Sequence, residues 1–353
     1  MSRFLSQAHC ELTPYTPGEQ PKDALYIKLN TNESPYPPSQ RAIDCAAEAA
    51  RHLELYPDPT CSELAARLAG ELEVEAQSVI LGNGSDEILQ YAFLAFCDGT
   101  HGAVFPNITY GFYKVFAQLY HIPYTEIPLN GDFTVDLECY NGCNRTIFIA
   151  NPNAPTGIAL EPSQIEQILR SNPDNVVVVD EAYVDFGANS CVPLTAEYDN
   201  LLVVQTFSKS RSMAGARLGM AIGNKELISD LNTVRYSLNP YNINRMTMAA
   251  GLGTLADSDY TRNNCREVIK AREYTAQGLS ALGFTYPKSK ANFIFARHPK
   301  VGGENIYTQL KQRGILVRHF STPDLTDYNR ITIGTMEQMH TLLDALKDIL
   351  EDM

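Results

Sequence analysis

Two stretches decide how this chain is read: Val176-Val177-Val178-Val179-Asp180-Glu181-Ala182-Tyr183 and, a short distance on, Leu201-Leu202-Val203-Val204-Gln205-Thr206-Phe207-Ser208-Lys209. Each opens with an apolar run rich in β-branched residues, which suits a strand covered on both faces, as in a parallel sheet. Each run ends on polar groups. A carboxylate at the end of a four-valine strand is costly to desolvate unless it meets a cation or donors. A helix cap or a structural ion pair would account for Asp180 alone, and a lysine after a strand is ordinarily a solvated surface residue.

Outward from these two, residues 79–81, 103–105, 146–150 and 218–222 are further candidate strands, and 87–96 and 164–169 suit helices between them. The alternation predicts an α/β fold with a largely parallel, buried sheet. Before the sheet, Thr60 and Glu63 have capping-box spacing ahead of an apolar 64–72, which predicts a helix start. After it, residues 258–282 read as a long helix stopped by Gly283. Strand-like 292–296, 315–318 and 330–333 then alternate with helices over 304–313 and from 337 toward 350, an α+β pattern. The chain therefore divides into an N-terminal arm (1–28), a large domain (29–240) and a smaller C-terminal domain (241–353).

Bulk properties exclude several classes. The chain has 353 residues, 44% hydrophobic and 20% charged, ordinary for a globular protein. Its apolar runs are far shorter than a membrane span, and residues 1–15 lack a secretory signal pattern, so the expected compartment is the cytoplasm. The eight cysteines form no C-x-x-C pair, and Cys139 and Cys143 lack a histidine partner, so neither zinc nor a disulfide framework is expected. A net charge of −13 argues against nucleic acid or an anionic membrane as partner. An anionic ligand would need a local cluster of arginines.

In open parallel sheets, ligands sit beyond the carboxyl ends of the strands. After residue 81 comes Gly82-Asn83-Gly84-Ser85-Asp86-Glu87, a Gly-rich helix opening suited to a phosphate. Tyr110 follows the next strand, Asn151-Pro152-Asn153-Ala154-Pro155-Thr156-Gly157 the next, then Asp180 and Tyr183, then Ser208 and Lys209 with Arg211 and Arg217 close behind. Singly each is weak. Together they offer phosphate donors, a ring, a carboxylate and an amine, the set that pyridoxal phosphate requires.

On these segments the chain resembles the fold-type I pyridoxal-phosphate aminotransferases, and within them the branch acting on histidinol phosphate. The most specific segments are Leu29-Asn30-Thr31-Asn32-Glu33, Asp180-Glu181-Ala182-Tyr183, Thr206-Phe207-Ser208-Lys209, Ala214-Gly215-Ala216-Arg217 and Gly314-Ile315-Leu316-Val317-Arg318-His319-Phe320. The resemblance runs from Leu12-Thr13-Pro14-Tyr15 to Arg330-Ile331-Thr332-Ile333-Gly334-Thr335. It implies a large domain with a mainly parallel seven-stranded sheet flanked by helices. It also implies that Lys209 holds the cofactor as a Schiff base and shuttles the proton, that Asp180 pairs with the pyridine nitrogen, that Tyr183 bonds the ring hydroxyl and that Tyr110 stacks on the ring. Ser85, Asp86, Thr206, Ser208 and Arg217 would hold the phosphate, and Tyr56 would reach it from the partner subunit of a homodimer. Tyr15, Asn32, Arg318 and Arg330 would line the substrate side, two guanidinium forks suiting both a phosphate ester and a dicarboxylate.

One position departs from the pattern. Many members carry an asparagine directly before Pro-Thr-Gly, whereas this chain has Ala154; either Asn153 replaces it or Tyr183 acts alone. The leading function is amino transfer between L-histidinol phosphate and 2-oxoglutarate. An aromatic aminotransferase, or a decarboxylase acting on a threonine-phosphate-type substrate, is the alternative on the same scaffold. A non-catalytic regulator module fits poorly with the acidic balance.

Overall fold

The computed structural model describes residues 2–10, 12–22 and 24–352; Met1, Glu11 and Asp23 of the expected arm, and Met353, lie outside the described residues. Seven strands build the large sheet: β2 (Val79–Gly82), β3 (Ala103–Pro106), β4 (Tyr124–Ile127), β5 (Thr146–Ala150), β6 (Val177–Asp180), β7 (Leu201–Thr206) and β8 (Gly219–Gly223). They lie in the order β2-β8-β7-β6-β5-β3-β4. β3 to β7 pair in parallel, and β8 alone runs against its neighbours. The valine run behaves as its composition requires. Val177 and Val179 enter the core on one face while Val178 enters the core on the other, and Leu201/Val203 and Leu202/Val204 divide likewise. Alternation with both faces covered is what a central parallel strand needs.

A second sheet orders β1 (Ile27–Leu29), β10 (Ile315–His319), β11 (Tyr328–Thr332) and β9 (Phe293–Arg297) as β1-β10-β11-β9. Helices Ser258–Ala281, Gly303–Gln312 and Met336–Glu351 pack on it around a third core. Lys28, the last residue of the expected arm, is the middle of β1, paired in parallel with Leu316. Helix Arg245–Leu255 contributes Ala250 and Leu255 to the core of the large sheet. The extended segment before β1 crosses the second unit: Lys311 Nζ bonds Glu19 at 2.5 Å and Asn30 Nδ2 donates to the Glu19 carbonyl at 2.9 Å.

Local expectations fare unevenly. Gly283 and Gly314 take positive φ (+84° and +79°) just past helix ends, as a C-terminal stop requires. The Thr60/Glu63 capping box does not form. Helix Ser62–Leu72 starts one turn from Asp58, whose carboxylate accepts from the Ser62 N–H at 2.8 Å and from the Thr60 N–H at 2.9 Å. Asp58 does the work because its two oxygens reach both amides, whereas the residue before the helix, Cys61, makes no side-chain cap. β4 was invisible to a search for apolar runs, since its Tyr-Thr-Glu-Ile is a half-exposed edge strand. Among the described residues no helix is long and apolar enough to cross a membrane.

Candidate active site

The loops after β2, β3, β5, β6 and β7 open on one edge of the large sheet, because those strands share a direction. There they enclose about 370 Å³, ample for a planar ring and its substituents. Lys209, three residues past β7, lies half-buried on the floor with Nζ 3.3 Å from the Thr31 carbonyl and 5.9 Å from the Tyr183 ring centre. Burial, aided by Arg330, lowers its amine to about 8 against the opposing pull of Asp86 and Glu33. A lysine poised there is about one-tenth neutral at pH 7, far more than an unperturbed lysine, and the neutral amine is the form that attacks a carbonyl.

Asp180 ends β6, one strand over. Its Oδ2 accepts from Tyr113 Oη at 3.1 Å and its Oδ1 from the Ala182 N–H at 3.2 Å. Both donors are neutral, and burial raises the carboxyl to about 7. Such a group gains from a cation placed against it. Glu181, the next residue, points away and is satisfied by Ser190, the Cys191 amide and Gln205 at 2.5–2.8 Å. Adjacent acids in an extended chain thus serve opposite faces: one opens on the cleft and the other ties down a loop.

At one end of the cleft, helix Ser85–Phe96 begins after Gly84 with no side chain capping it, so the Ser85 and Asp86 amides form a natural anion seat. Arg217 Nη2 meets Asp86 Oδ2 at 2.8 Å, Arg217 Nη1 lies 3.5 Å from Ser208 Oγ, and Tyr110 Oη donates to Asp86 Oδ1 at 2.6 Å. Thr206 Oγ1 accepts from the Ser208 N–H at 3.1 Å. Two glycines make the crowding possible. Gly84 holds φ +82°, and a Cβ on Gly219 would come within 2.3 Å of the Ser85 nitrogen, so β8 can pass under this loop only without a side chain.

At the other end stand Arg318 and Arg330, directly opposed across β10 and β11. Opposed residues share a face, and like charges there repel. Arg330 lies over Phe293 and Phe320 (5.4 and 5.9 Å), donates to the Asn30 carbonyl at 3.2 Å, and keeps a buried Nε without a partner among the described residues. Burial holds its guanidinium below its usual range. Arg318 donates to the Thr16 and Pro17 carbonyls at 3.2 and 3.3 Å. Tyr15 stacks on Phe112 at 4.5 Å and lies 6.4 Å from Tyr110. A second cavity takes in Tyr15, Asn32, Arg318 and Arg330, and shares Tyr110, Ala154, Tyr183 and Lys209 with the first. The two are halves of one cleft.

Two expected residues do not face it. Asn153 is no replacement for the missing asparagine. Its Oδ1 accepts from Thr109 at 2.8 Å, and its Nδ2 donates to the Ile108 carbonyl and Thr156 at 3.0 and 3.1 Å, so the amide is spent holding its own loop. Tyr56 lies outside both cavities of its own chain, 78% exposed and stacked on Tyr241 at 4.5 Å. Conversely, Tyr113 and Thr31 touch the two central groups and were not singled out. Tyr113 stands three residues after Tyr110, in the first turn of helix Phe112–Leu119, a nearness in sequence that could have pointed to it. Thr31 acts through its carbonyl, which side-chain chemistry does not announce.

Comparison with known proteins agrees with this geometry. A histidinol-phosphate aminotransferase of Brachyspira hyodysenteriae is 48% identical over the whole of both chains. One from a Marinomonas species is 49% identical over 99% of this chain and all of its own. The fold matches that of a Sinorhizobium meliloti histidinol-phosphate aminotransferase in complex with pyridoxal-5'-phosphate, with a TM-score of 0.85 at 22% identity, covering 93% of this chain and 92% of that one. The model of the class I and II aminotransferases matches residues 25–346, and with relatives this similar along its whole length, the chain belongs to that family.

Proposed function

We propose that this chain is a pyridoxal-phosphate-dependent transaminase that moves an amino group between L-histidinol phosphate and 2-oxoglutarate, a step of histidine biosynthesis. One observation carries the reading: a single cleft has a partly neutral lysine and a buried, cation-seeking carboxylate on adjacent strand ends, with arginines at both ends. When bound, the cofactor supplies an aldehyde that captures amines and a protonated ring that takes up electrons from the substrate's α-carbon.

The residues fit that group. Asp180, met only by neutral donors, gains a cation in the ring nitrogen's proton. Arg217, Ser208, Thr206 and the amides of Ser85 and Asp86 suit its phosphate. Tyr110 would cover a ring face and Tyr183 would donate to the ring oxygen; Ala154, which lines the same cleft, offers no donor. Lys209 would hold the aldehyde, and its Nζ, when free, is the group placed to carry a proton to and from the substrate's α-carbon. Arg318 and Arg330 grip the phosphate ester and the dicarboxylate in turn, which relieves their mutual repulsion. In this reading the unit around the large sheet holds the cofactor and the smaller unit grips substrate. The relatives named for this reaction support the substrate assignment.

Purified protein with both substrates should yield glutamate. No glutamate from histidinol phosphate, but good yield from phenylalanine or tyrosine, would replace the reading with an aromatic aminotransferase. Carbon dioxide release without an oxo-acid would replace it with a decarboxylase.

The enzyme works as a homodimer in this proposal. Leu53, Leu55, Tyr56, Leu238 and Tyr241 are each 43% exposed or more, the stacking of Tyr56 on Tyr241 brings their two segments together, and exposed apolar side chains of this kind mark an interface. Tyr56 on that face would complete the phosphate seat of the partner. Mixing inactive Lys209→Ala chains with Tyr56→Ala chains should then recover activity above either alone, since each hybrid holds one intact site. No recovery after subunit exchange would sink this arrangement. A cytoplasmic location fits the eight free cysteines, as thiols persist in reducing compartments.

A further inference from the structure

Asn32 adopts a left-handed backbone (φ 55°) and is almost wholly buried. Every polar group it has is engaged. Its N–H donates to Thr332 Oγ1 at 2.9 Å, and its carbonyl accepts from Asn292 Nδ2 at 3.1 Å. Its Oδ1 accepts from Thr332 Oγ1 at 3.0 Å, and its Nδ2 donates to Tyr183 Oη at 3.0 Å.

The direction of the last bond follows from the others. Thr332 Oγ1 already accepts the backbone N–H, so its single hydrogen must go to an acceptor, and Asn32 Oδ1 is that acceptor. Turning the amide round would strand this hydroxyl hydrogen in a buried site, an expensive arrangement. Nδ2 therefore faces Tyr183, and the phenol oxygen accepts. A phenol that accepts from Asn32 keeps its own hydrogen for another partner. Tyr183 lines the cleft together with Lys209 and Ala154, and the Ala154 methyl supplies no donor there.

We propose that Asn32 is a positioning residue that fixes Tyr183 as a one-way donor into the cleft, aimed at the ring oxygen of the cofactor. The inference rests on the pyridoxal-phosphate reading above. An oxygen that accepts one hydrogen bond donates a stronger one, so the amide both aims and sharpens the phenol. The clamp arrives from the second sheet: Thr332 lies on β11 two residues beyond Arg330, and Asn292 directly precedes β9. The sheet that carries the arginines thereby also sets the electronics of the cofactor. A donor on the ring oxygen draws off negative charge that would otherwise hold the neighbouring Schiff-base proton. It lowers the pH at which the visible absorbance of the loaded enzyme titrates.

The test is a spectrophotometric pH titration of the cofactor-loaded protein. Asn32→Gly suits it, because glycine accepts φ 55° and keeps both backbone bonds. The midpoint is expected to rise by about one unit, a tenfold change in proton affinity. In a Tyr183→Phe background, which has no hydroxyl to aim, the same substitution should add nothing. An unchanged midpoint in Asn32→Gly, or an equal rise in the Tyr183→Phe background, overturns the proposal. If Asn32→Gly does not load, Thr332→Val decides, since it removes the hydrogen that orients the amide: a rise supports the role and an unchanged midpoint refutes it. A parent protein with no visible band at all defeats the cofactor reading, and the proposal with it.

Discussion

Lys209→Ala lowers transamination by about 10⁴-fold and abolishes every covalent link between protein and cofactor. Four orders of magnitude is the upper range for removing a positioned acid–base group, and here the same amine also serves as the carrier. Burial and Arg330 hold that amine near 8, and among the described residues no other lysine lines the cleft to replace it. Asp180, Arg217 and the amides of Ser85 and Asp86 remain, so the variant is expected to retain the cofactor non-covalently. Borohydride treatment followed by mass measurement separates the outcomes. The parent gains the mass of the reduced cofactor, and the variant gains nothing. A borohydride-fixed adduct in Lys209→Ala would move the reactive amine elsewhere.

Arg330→Ala is the second large effect. A buried, hydrogen-bonded charge partner that loses its mate costs roughly 2–5 kcal/mol, which raises KM for an anionic substrate by about thirtyfold or more. The guanidinium sits over Phe293 and Phe320 and opposite another arginine, with its Nε unpartnered among the described residues. Without ligand this is an uncomfortable cation. The cofactor-free variant should accordingly melt no lower than the parent while losing affinity. Lower stability with KM intact would assign Arg330 a structural role instead. Steady-state kinetics with each anion in turn, repeated on Arg318→Ala, would also divide the phosphate ester and the dicarboxylate between the two forks.

The central sheet was legible because its strands are buried on both faces, so sequence and burial say the same thing. Asp180 and Lys209 were legible because each breaks an apolar run at the end where ligands bind. Legibility fails where the signal is not in a side chain or not in a run. β4 hides because an edge strand needs no apolar stretch. Thr31 contributes a carbonyl. Asp58 beats Thr60 as a cap because two oxygens reach what one hydroxyl cannot. Asn153 resembled a ligand on spacing alone, yet its loop consumes the amide. Asn32 was expected to line the substrate side; it lies in the half of the cleft that holds Arg318 and Arg330, but the bonds of its side chain to Thr332 and Tyr183 were not legible.

The opposition of Arg318 and Arg330 across β10 and β11 has a consequence for how the protein matures. Side chains alternate faces along a strand, so slipping one of these strands by a single residue would turn its arginine to the far side of the sheet. If the two arginines grip the substrates as proposed, specificity for two anions is written in strand alignment rather than in a flexible loop. A chain that folds one residue out of step would still bury its apolar groups elsewhere, but in the proposed reading it would emerge as an enzyme blind to both anions.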